Sequence, residues 1–482
     1  MKPSPAQRHP PANAHRNRRR VPTVVEAMLP LILMILLIGI GYGFFRYRIE
    51  MLLITASAVA GLIGARLGYS WSEMQAGIVE SIGKAMPPTL IMIMVGVIIS
   101  SWIAAGTIPM LVYYGLKAIA PGWFLVTACL VCSIVSVVTG TSYGTVGTIG
   151  VAFIGIAQGM GIPVGMAAGA IIAGAYFGDK ISPFSDTTNL AATIVRTNLF
   201  DHIAHLQWTT APAFLIGLVV YAVAGIRFAE AQAPSAEIEM LLVGLESSFV
   251  FHWLLLLPPA IMLALAVRRS PPIPGMVLSS AAAVGLAVVL QGTSPVSVLE
   301  ACVLGYTSET GVTRMDILLS RGGMQTMMGV ILVAFCAFAF AGIMQKTEML
   351  AVIVRQIGRI ATTAGRLVSS AVSASIATAF ITGSSYLSII IPGELFAPSF
   401  RKAGLAAKNL SRTVEDSGTV VVPLVPWSMA GVFMAGTLGV PTLEYAPWAI
   451  MCYTGFLFAI VYGFTGFALA PRLRDDETIP GS

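Results

Sequence analysis

Apolar runs of roughly twenty residues recur along the chain, divided by short polar, glycine-rich or proline-rich breaks. A helix needs about 20 apolar residues to cross a hydrocarbon core about 30 Å thick. The pattern predicts helical spans near 23–45, 50–68, 87–106, 122–138 and 206–226. It predicts a second set near 250–267, 273–291, 326–344, 367–392, 417–436 and 446–470. Residues 146–178 are also apolar, but Gly159, Gly161 and Pro163 interrupt them, which reads as close helix packing or a discontinuous pair of half-helices. A membrane barrel would instead alternate with period two. The fold class is therefore an all-α polytopic membrane protein.

The polar stretches divide this pattern. Residues 1–22 are rich in Pro, Arg, Ala and Asn and read as a disordered tail. Residues 227–249 turn polar and read as a linker between two transmembrane repeats, 23–226 and 250–470, with a polar C-terminal tail at 471–482. Residues 293–325 and 397–412 are polar or amphipathic and read as helices lying on a surface.

Composition strengthens the membrane reading. Of 482 residues, 56% are hydrophobic and 10% charged, whereas soluble domains carry about 25% charged residues. Mean hydropathy is +0.84. The net charge of +6 sits largely at the ends and in loops, so it bears on topology rather than on nucleic acid. Arg16, Arg18, Arg19 and Arg20 precede the first span, which points to a cytoplasmic N-terminus. That span is too long for a signal sequence and no small-residue cleavage site follows it. Cys129 and Cys132 form a Cys-x-x-Cys inside an apolar run, where helix packing explains them better than a metal or redox pair.

The two halves resemble each other. Thr139-Gly-Thr-Ser-Tyr-Gly-Thr145 recurs as Thr382-Gly-Ser-Ser-Tyr-Leu-Ser388, an offset of 382 − 139 = 243. Upstream, Ala104-Ala-Gly106 echoes Phe340-Ala-Gly342, and Met92–Ile99 echoes Met327–Ala334. Downstream, Asp179, Pro183 and Asp186 have a counterpart cluster in Glu415, Asp416, Pro423 and Pro426. A weak internal repeat with breakers in matching places points to a secondary transporter with inverted repeats and a midplane site.

Charge is scarce, and its placement selects the candidate site. Residues 118–178 carry no charged side chain, and then Asp179, Lys180 and Asp186 arrive together among Ser182, Ser185, Thr187, Thr188 and Asn189. A charge at the bilayer centre costs at least ~2.5–3.5 kcal/mol, so intramembrane carboxylates are functional candidates. Pro183 removes a backbone donor and should unwind the segment, freeing carbonyls and hydroxyls to join Asp179 and Asp186 around one cation. Candidate ligands are Asp179, Asp186, Thr187 and Asn189, with Thr141 and Ser142 from the first motif. Ser384 and Ser385 from the second motif join them, as do Asp416 and Thr419 near the next break. Pairing of Asp179 with Lys180, or of Arg412 with Glu415 or Asp416, is the structural alternative. Glu394 after Pro392-Gly393 reads equally as a site residue or a helix-end charge. His202 and His205 read as solvated interfacial residues.

Two enzyme readings are disfavoured. Gly140-Thr-Ser-Tyr-Gly144 fits the nucleophile-elbow pattern, but such an elbow needs a strand before it, and the second copy loses the final glycine. Phe177-Gly-Asp179 only partly matches the signature of intramembrane aspartyl proteases.

The stretches Thr139–Thr148, Ala173–Leu190, Pro392–Glu394, Leu410–Thr419 and Gly431–Pro447 together resemble the NhaC-type sodium/proton antiporter family over about residues 23–470. The resemblance implies a bacterial inner-membrane exchanger with two repeats and broken helices, and it allows a homodimer. It also implies Na+ and H+ as transported ions, with no other cofactor. The family includes sodium-coupled malate/lactate exchangers and amino-acid carriers. A small organic acid or amino acid as substrate is thus the alternative to sodium/proton antiport. One carboxylate site that takes either Na+ or H+, facing each side in turn, exchanges the two ions. Asp186 is the leading expectation for that carboxylate, helped by Asp179 or Asp416. The two Ser/Thr motifs are expected to meet around one polar cavity with Asp186 and Asp416 close by.

Overall fold

The computed structural model describes residues 19–45, 47–230, 235–268, 270–311, 313–359 and 363–471. Most of the expected N-terminal tail and nearly all of the C-terminal tail lie outside the described residues, as do Arg46 and part of the 227–249 stretch. Among the described residues the chain is helical, with one isolated bridge between Leu405 and Pro471 and no strand. Eight helices among the described residues are long and apolar enough to cross a membrane, and up to eleven if three sharply bent pairs each count as one span. This is a multi-pass, all-α membrane protein.

The helices repeat in register. The first repeat runs through Phe124–Thr139, a break at Gly140 and Thr141, a helical stretch from Ser142 to Gly159, and then Val164–Ile181. A second break precedes Asp186–Val195, and Leu199–Glu230 follows. The second repeat runs through Ala364–Thr382, a break at Gly383 and Ser384, Ser385–Lys402, and Ala407–Gly418 continued to Leu424. Its second break precedes Met429–Leu438, and the helix after that starts at Thr442. Starts and ends at 139, 164, 186, 195 and 199 recur at 382, 407, 429, 438 and 442, each offset by 243. Sequence similarity marks only the motif, whereas the backbone keeps this offset for about sixty residues beyond it.

Each repeat crosses its own two breaks. Gly140 is left-handed (φ 68°), and a Cβ on it would lie 2.6 Å from Cβ of Phe184 in the next break. Gly383 is left-handed (φ 62°) and packs against Trp427 and Ser428, with Met429 N–H donating to Gly383 O at 3.1 Å. Gly140 and Phe184 thus correspond to Gly383 and Trp427. Glycine stops each helix because an L side chain strains in that conformation. A hydroxyl restarts the chain each time. Thr141, Ser185, Ser384 and Ser428 accept from the backbone N–H of residues 144, 188, 387 and 431. These N-caps satisfy donors that hydrocarbon would leave bare.

Small residues let the crossing helices approach. A Cβ at Gly174 would lie 2.2 Å from Cys129 O, and one at Gly178 would lie 2.3 Å from Ser133 O. These two glycines seat Val164–Ile181 against Phe124–Thr139, and Ser136 Oγ donates to Ala175 O across the seam at 2.6 Å. Between the repeats, Trp71–Ala105 crosses Met324–Lys346 where Gly77 and Gly342 face each other backbone to backbone. Cys129 and Cys132 are buried free thiols at helix-packing positions.

Several expectations need correction. The span 367–392 is two helices, because Gly383 stops the first at Thr382. The span 417–436 is likewise broken, with a 45° bend between Ala407–Leu424 and Met429–Leu438. Residues 407–412 are not on a surface; Asn409, Ser411 and Arg412 have no exposed area, because this helix threads the core between the repeats. The upstream echo is out of register. Gly106 and Glu348, both left-handed, occupy the matching corner (348 − 106 = 242), so Ala104–Gly106 does not correspond to Phe340–Gly342. Within the polar 227–249 stretch, Ser235–Ser248 is helical. The 87–106 span starts earlier, at Trp71, because Ser70 and Glu73 form a capping box there and Pro87–Pro88 is carried inside the helix.

Candidate functional site

Both motifs line one cavity of about 920 Å³. Thr139–Gly144 forms one part of its wall and Gly383–Leu387 another, with Asp179, Asp186, Thr187, Asn189 and Thr419 between them. The remaining wall is largely apolar and comes chiefly from residues 256–276 and 81–91, with Ser81 and Lys84 among its polar members.

Asp179 sits in the last turn of Val164–Ile181, where Gly178 has brought the backbone against Phe124–Thr139. Its Oδ2 accepts from the Ser142 N–H at 3.1 Å and from the Ser142 hydroxyl at 2.8 Å. The carboxylate thereby occupies the N-terminus of the helix that restarts at Ser142, where the dipole and the unpaired N–H groups favour negative charge. Its Oδ1 has no hydrogen-bond partner among the described residues, although the side chain is only 7% exposed. Asp186 is exposed into the cavity. Its Oδ1 accepts from the Thr187 N–H at 2.7 Å and its Oδ2 from the Tyr386 hydroxyl of the second motif.

The other expected residues divide between site and scaffold. Thr141 and Ser384 face the cavity but spend their oxygens as N-caps. Ser385 lines the cavity. Asn189 donates to Pro183 O at 2.9 Å and Ser185 O at 2.6 Å, and Thr188 donates to Lys180 O at 3.1 Å. The carbonyls that Pro183 was expected to free for a cation are therefore tied off by local side chains. Thr187 donates across the repeats to Glu415 Oε1 at 3.3 Å, and Thr419 faces the cavity beside it.

Asp416 is not at the cavity. It is fully buried behind it and forms an ion pair with Lys180, which is 1% exposed. The expected alternative pairings, Asp179 with Lys180 and Arg412 with Glu415 or Asp416, do not form. Arg412 instead donates to Ala468 O at 2.9 Å and lies near the Tyr462 ring. His202 and His205 are buried rather than solvated, and His205 Nε2 meets Asn409 Oδ1 at 3.1 Å. Glu394 is exposed in the middle of Ser385–Lys402. Among the described residues no three His, Cys, Asp or Glu side chains group as a metal site.

Tyr386, Glu415 and Lys180 are not among the candidate ligands that the sequence offers. Tyr386 belongs to the repeated motif, so its signal was present. In the sequence Lys180 and Glu415 stand only as the alternative members of local helix pairs, and the crossing of the repeats gives them distant partners.

Comparison with known proteins places this geometry. The sequence model of the Na+/H+ antiporter family matches residues 174–467, more than half of the chain. An uncharacterized Na+/H+ antiporter of Haemophilus influenzae is 43% identical over 460 residues, covering 94% of this chain and 98% of that one. The Na+/H+ antiporter NhaC of Alkalihalophilus pseudofirmus is 38% identical, over 86% of this chain and 90% of its own. A malate-2H+/Na+-lactate antiporter of Bacillus subtilis is 34% identical, over 93% of this chain and 96% of its own. With that family model over more than half of the chain and relatives of 38–43% identity over most of it, the chain belongs to the Na+/H+ antiporter family.

Proposed function

We propose that this protein exchanges sodium for protons, and that Asp179 is the shared carboxylate with Asp186 as its outer partner. The observation that carries the reading is the asymmetric environment of Asp179. One oxygen is fixed by Ser142, while the other makes no hydrogen bond of normal geometry and is buried beside the cavity, with the Ser185 hydroxyl near the carboxylate. An ionised carboxylate held this way needs a compensating cation, because burying an unpaired charge costs several kcal/mol. In the absence of sodium a proton removes the charge. One carboxylate that accepts either ion, opened to each side of the membrane in turn, couples the two fluxes. The fixed Ser142 N–H and hydroxyl hold the oxygen in place through both steps. Membership of the antiporter family supports a transporter rather than an enzyme.

The test is sodium-driven proton movement in inverted membrane vesicles. Asp179→Asn is expected to abolish it, and Asp186→Asn to weaken it by raising the sodium concentration needed. Exchange that survives intact in Asp179→Asn removes the assignment.

A second reading has its own support. About 920 Å³ is far more than a bare cation needs and falls within the 300–1,000 Å³ of small-molecule pockets. A relative that carries malate and lactate fits the same feature. Under this reading sodium moves protons only when a small carboxylic acid or amino acid is added to proteoliposomes. Flux with sodium alone decides for simple antiport.

The reading also assigns residues 23–226 and 250–470 to two repeats on either side of a 227–249 linker, in a bacterial inner membrane with a cytoplasmic N-terminus. The arginines ahead of the first span support that orientation, and reporter fusions at either end test it.

A further inference from the structure

We propose that Glu415, with the hydroxyls of Thr187 and Thr419, forms a second monovalent-cation position behind the cavity wall. This rests on the exchange reading above and deepens it.

Glu415 has no exposed area, and it does not line the cavity. Its Oε1 accepts one hydrogen bond, from Thr187 Oγ1. Its Oε2 makes no hydrogen bond of normal geometry, and neither does Thr419 Oγ1, although the Thr419 hydroxyl adjoins the Glu415 carboxylate. Both threonines are nearly buried, at 7% and 4% exposed, and both face the cavity. The arrangement is a carboxylate one layer behind two threonines that line the cavity. An apolar residue would suit a purely structural position here, because an unsatisfied buried carboxylate is costly.

The one cation near Glu415, Lys180, is already closed on Asp416, so Glu415 has no counterion of its own. From its own helix, Asp416 is taken by Lys180, and Arg412 reaches Ala468 O instead. From Val164–Ile181 come Asp179 and that same Lys180, already paired. From the Asp186–Val195 helix comes Asp186, bonded to Tyr386. From Leu199–Glu230 come His202 and His205, the second bonded to Asn409. A small cation bound by carboxylate and hydroxyl oxygens satisfies Glu415 Oε2 and Thr419 Oγ1 at once, and sodium or lithium matches such hard oxygen ligands. Thr187 adjoins Asp186, and Ser185 Oγ meets Thr187 Oγ1 at 3.2 Å, so a chain of oxygens connects this position to the cavity carboxylates.

Purified protein in detergent, titrated with NaCl and with LiCl at constant ionic strength, reports binding through the rise in melting temperature. Sodium-driven proton flux in proteoliposomes gives the second readout. Glu415→Gln is expected to need at least tenfold more sodium for half-maximal stabilisation. Thr419→Val is expected to need several-fold more and to change the sodium-to-lithium preference, which a merely structural threonine would not do. Sodium affinity within twofold of the parent in Glu415→Gln overturns the proposal. Should that variant not fold, unchanged affinity and ion preference in both Thr419→Val and Thr187→Val overturn it. Asp179→Asn is run alongside. Intact exchange in Asp179→Asn with weakened sodium binding in Glu415→Gln would remove the first assignment and uphold this one; the reverse pattern would do the opposite.

Discussion

At the scale of single residues, burial separates two kinds of charge. Asp179 and Asp186 open to the cavity, whereas Lys180 and Asp416 close on each other behind it. Their tests differ accordingly. Ser142 gives Asp179 two hydrogen bonds, and a bond to a charged group contributes about 1.5–3 kcal/mol. Ser142→Ala removes the hydroxyl but keeps the N–H, so half-maximal sodium in the flux assay is expected to rise roughly tenfold or more. Lys180→Met leaves Asp416 buried and unpaired. It should lower stability by about 3–5 kcal/mol, while the double variant Lys180→Met with Asp416→Leu should recover most of the loss. Thermal unfolding in detergent measures both. Failure of the double variant to recover would mean that the pair does more than neutralise itself.

At the scale of elements, the repeated Ser/Thr motifs are first a solution to helix breaking. Gly140 and Gly383 end a helix in the left-handed conformation, and Thr141 and Ser384 cap the helix that restarts. This explains why glycine followed by a hydroxyl residue occurs twice, without any ligand. The same logic repeats at Ser185 and Ser428. Ser428→Ala is expected to cost about 1 kcal/mol and to lower the melting temperature without changing sodium affinity. Gly140→Ala meets Phe184 Cβ at 2.6 Å and adds left-handed strain of ~1–2 kcal/mol, so it should disturb both breaks of the first repeat together. Reduced expression and a lower melting temperature would register that effect. Asn189, expected as a ligand, is accounted for locally by the Pro183 and Ser185 carbonyls.

At the scale of the whole molecule, backbone and charge follow different rules. Helix boundaries recur at an offset of 243, yet the charges do not: Asp179 corresponds to Val422, and Asp416 to Ala173. The repeats supply one scaffold twice, and each contributes different chemistry to the space between them. Tyr386 to Asp186, Thr187 to Glu415 and Lys180 to Asp416 all cross from one repeat to the other. The cavity should therefore be reachable by water-borne reagents at the second motif. All five native cysteines are buried, so the parent protein should resist a membrane-impermeant thiol reagent. Ser385→Cys should react with it, and sodium should slow the reaction. Labelling indifferent to sodium would separate this cavity from the ion path.

The sequence by itself determined that the chain is a helical membrane protein, that it contains a repeat, and that rare polar residues cluster at the breaks. These follow from local physics: hydrocarbon requires long apolar helices, and interrupting them requires glycine, proline and hydroxyls at particular positions. It also brought Asp179, Asp186 and both motifs to notice, because isolated charge in apolar sequence is conspicuous whatever the fold. Partnership was beyond its reach. Lys180 lies beside Asp179 in the chain but closes on Asp416, because adjacent helical residues point about 100° apart while crossing helices bring distant ones together. Residues 407–412 have the composition of a surface helix but lie in the core, because both repeats pack around them and the Asn409 side chain is held by His205 and the Ala406 and Ala470 carbonyls. Only the tertiary structure could decide which carboxylate faces water, which faces a cation of the chain's own, and which is left with an oxygen that makes no normal hydrogen bond.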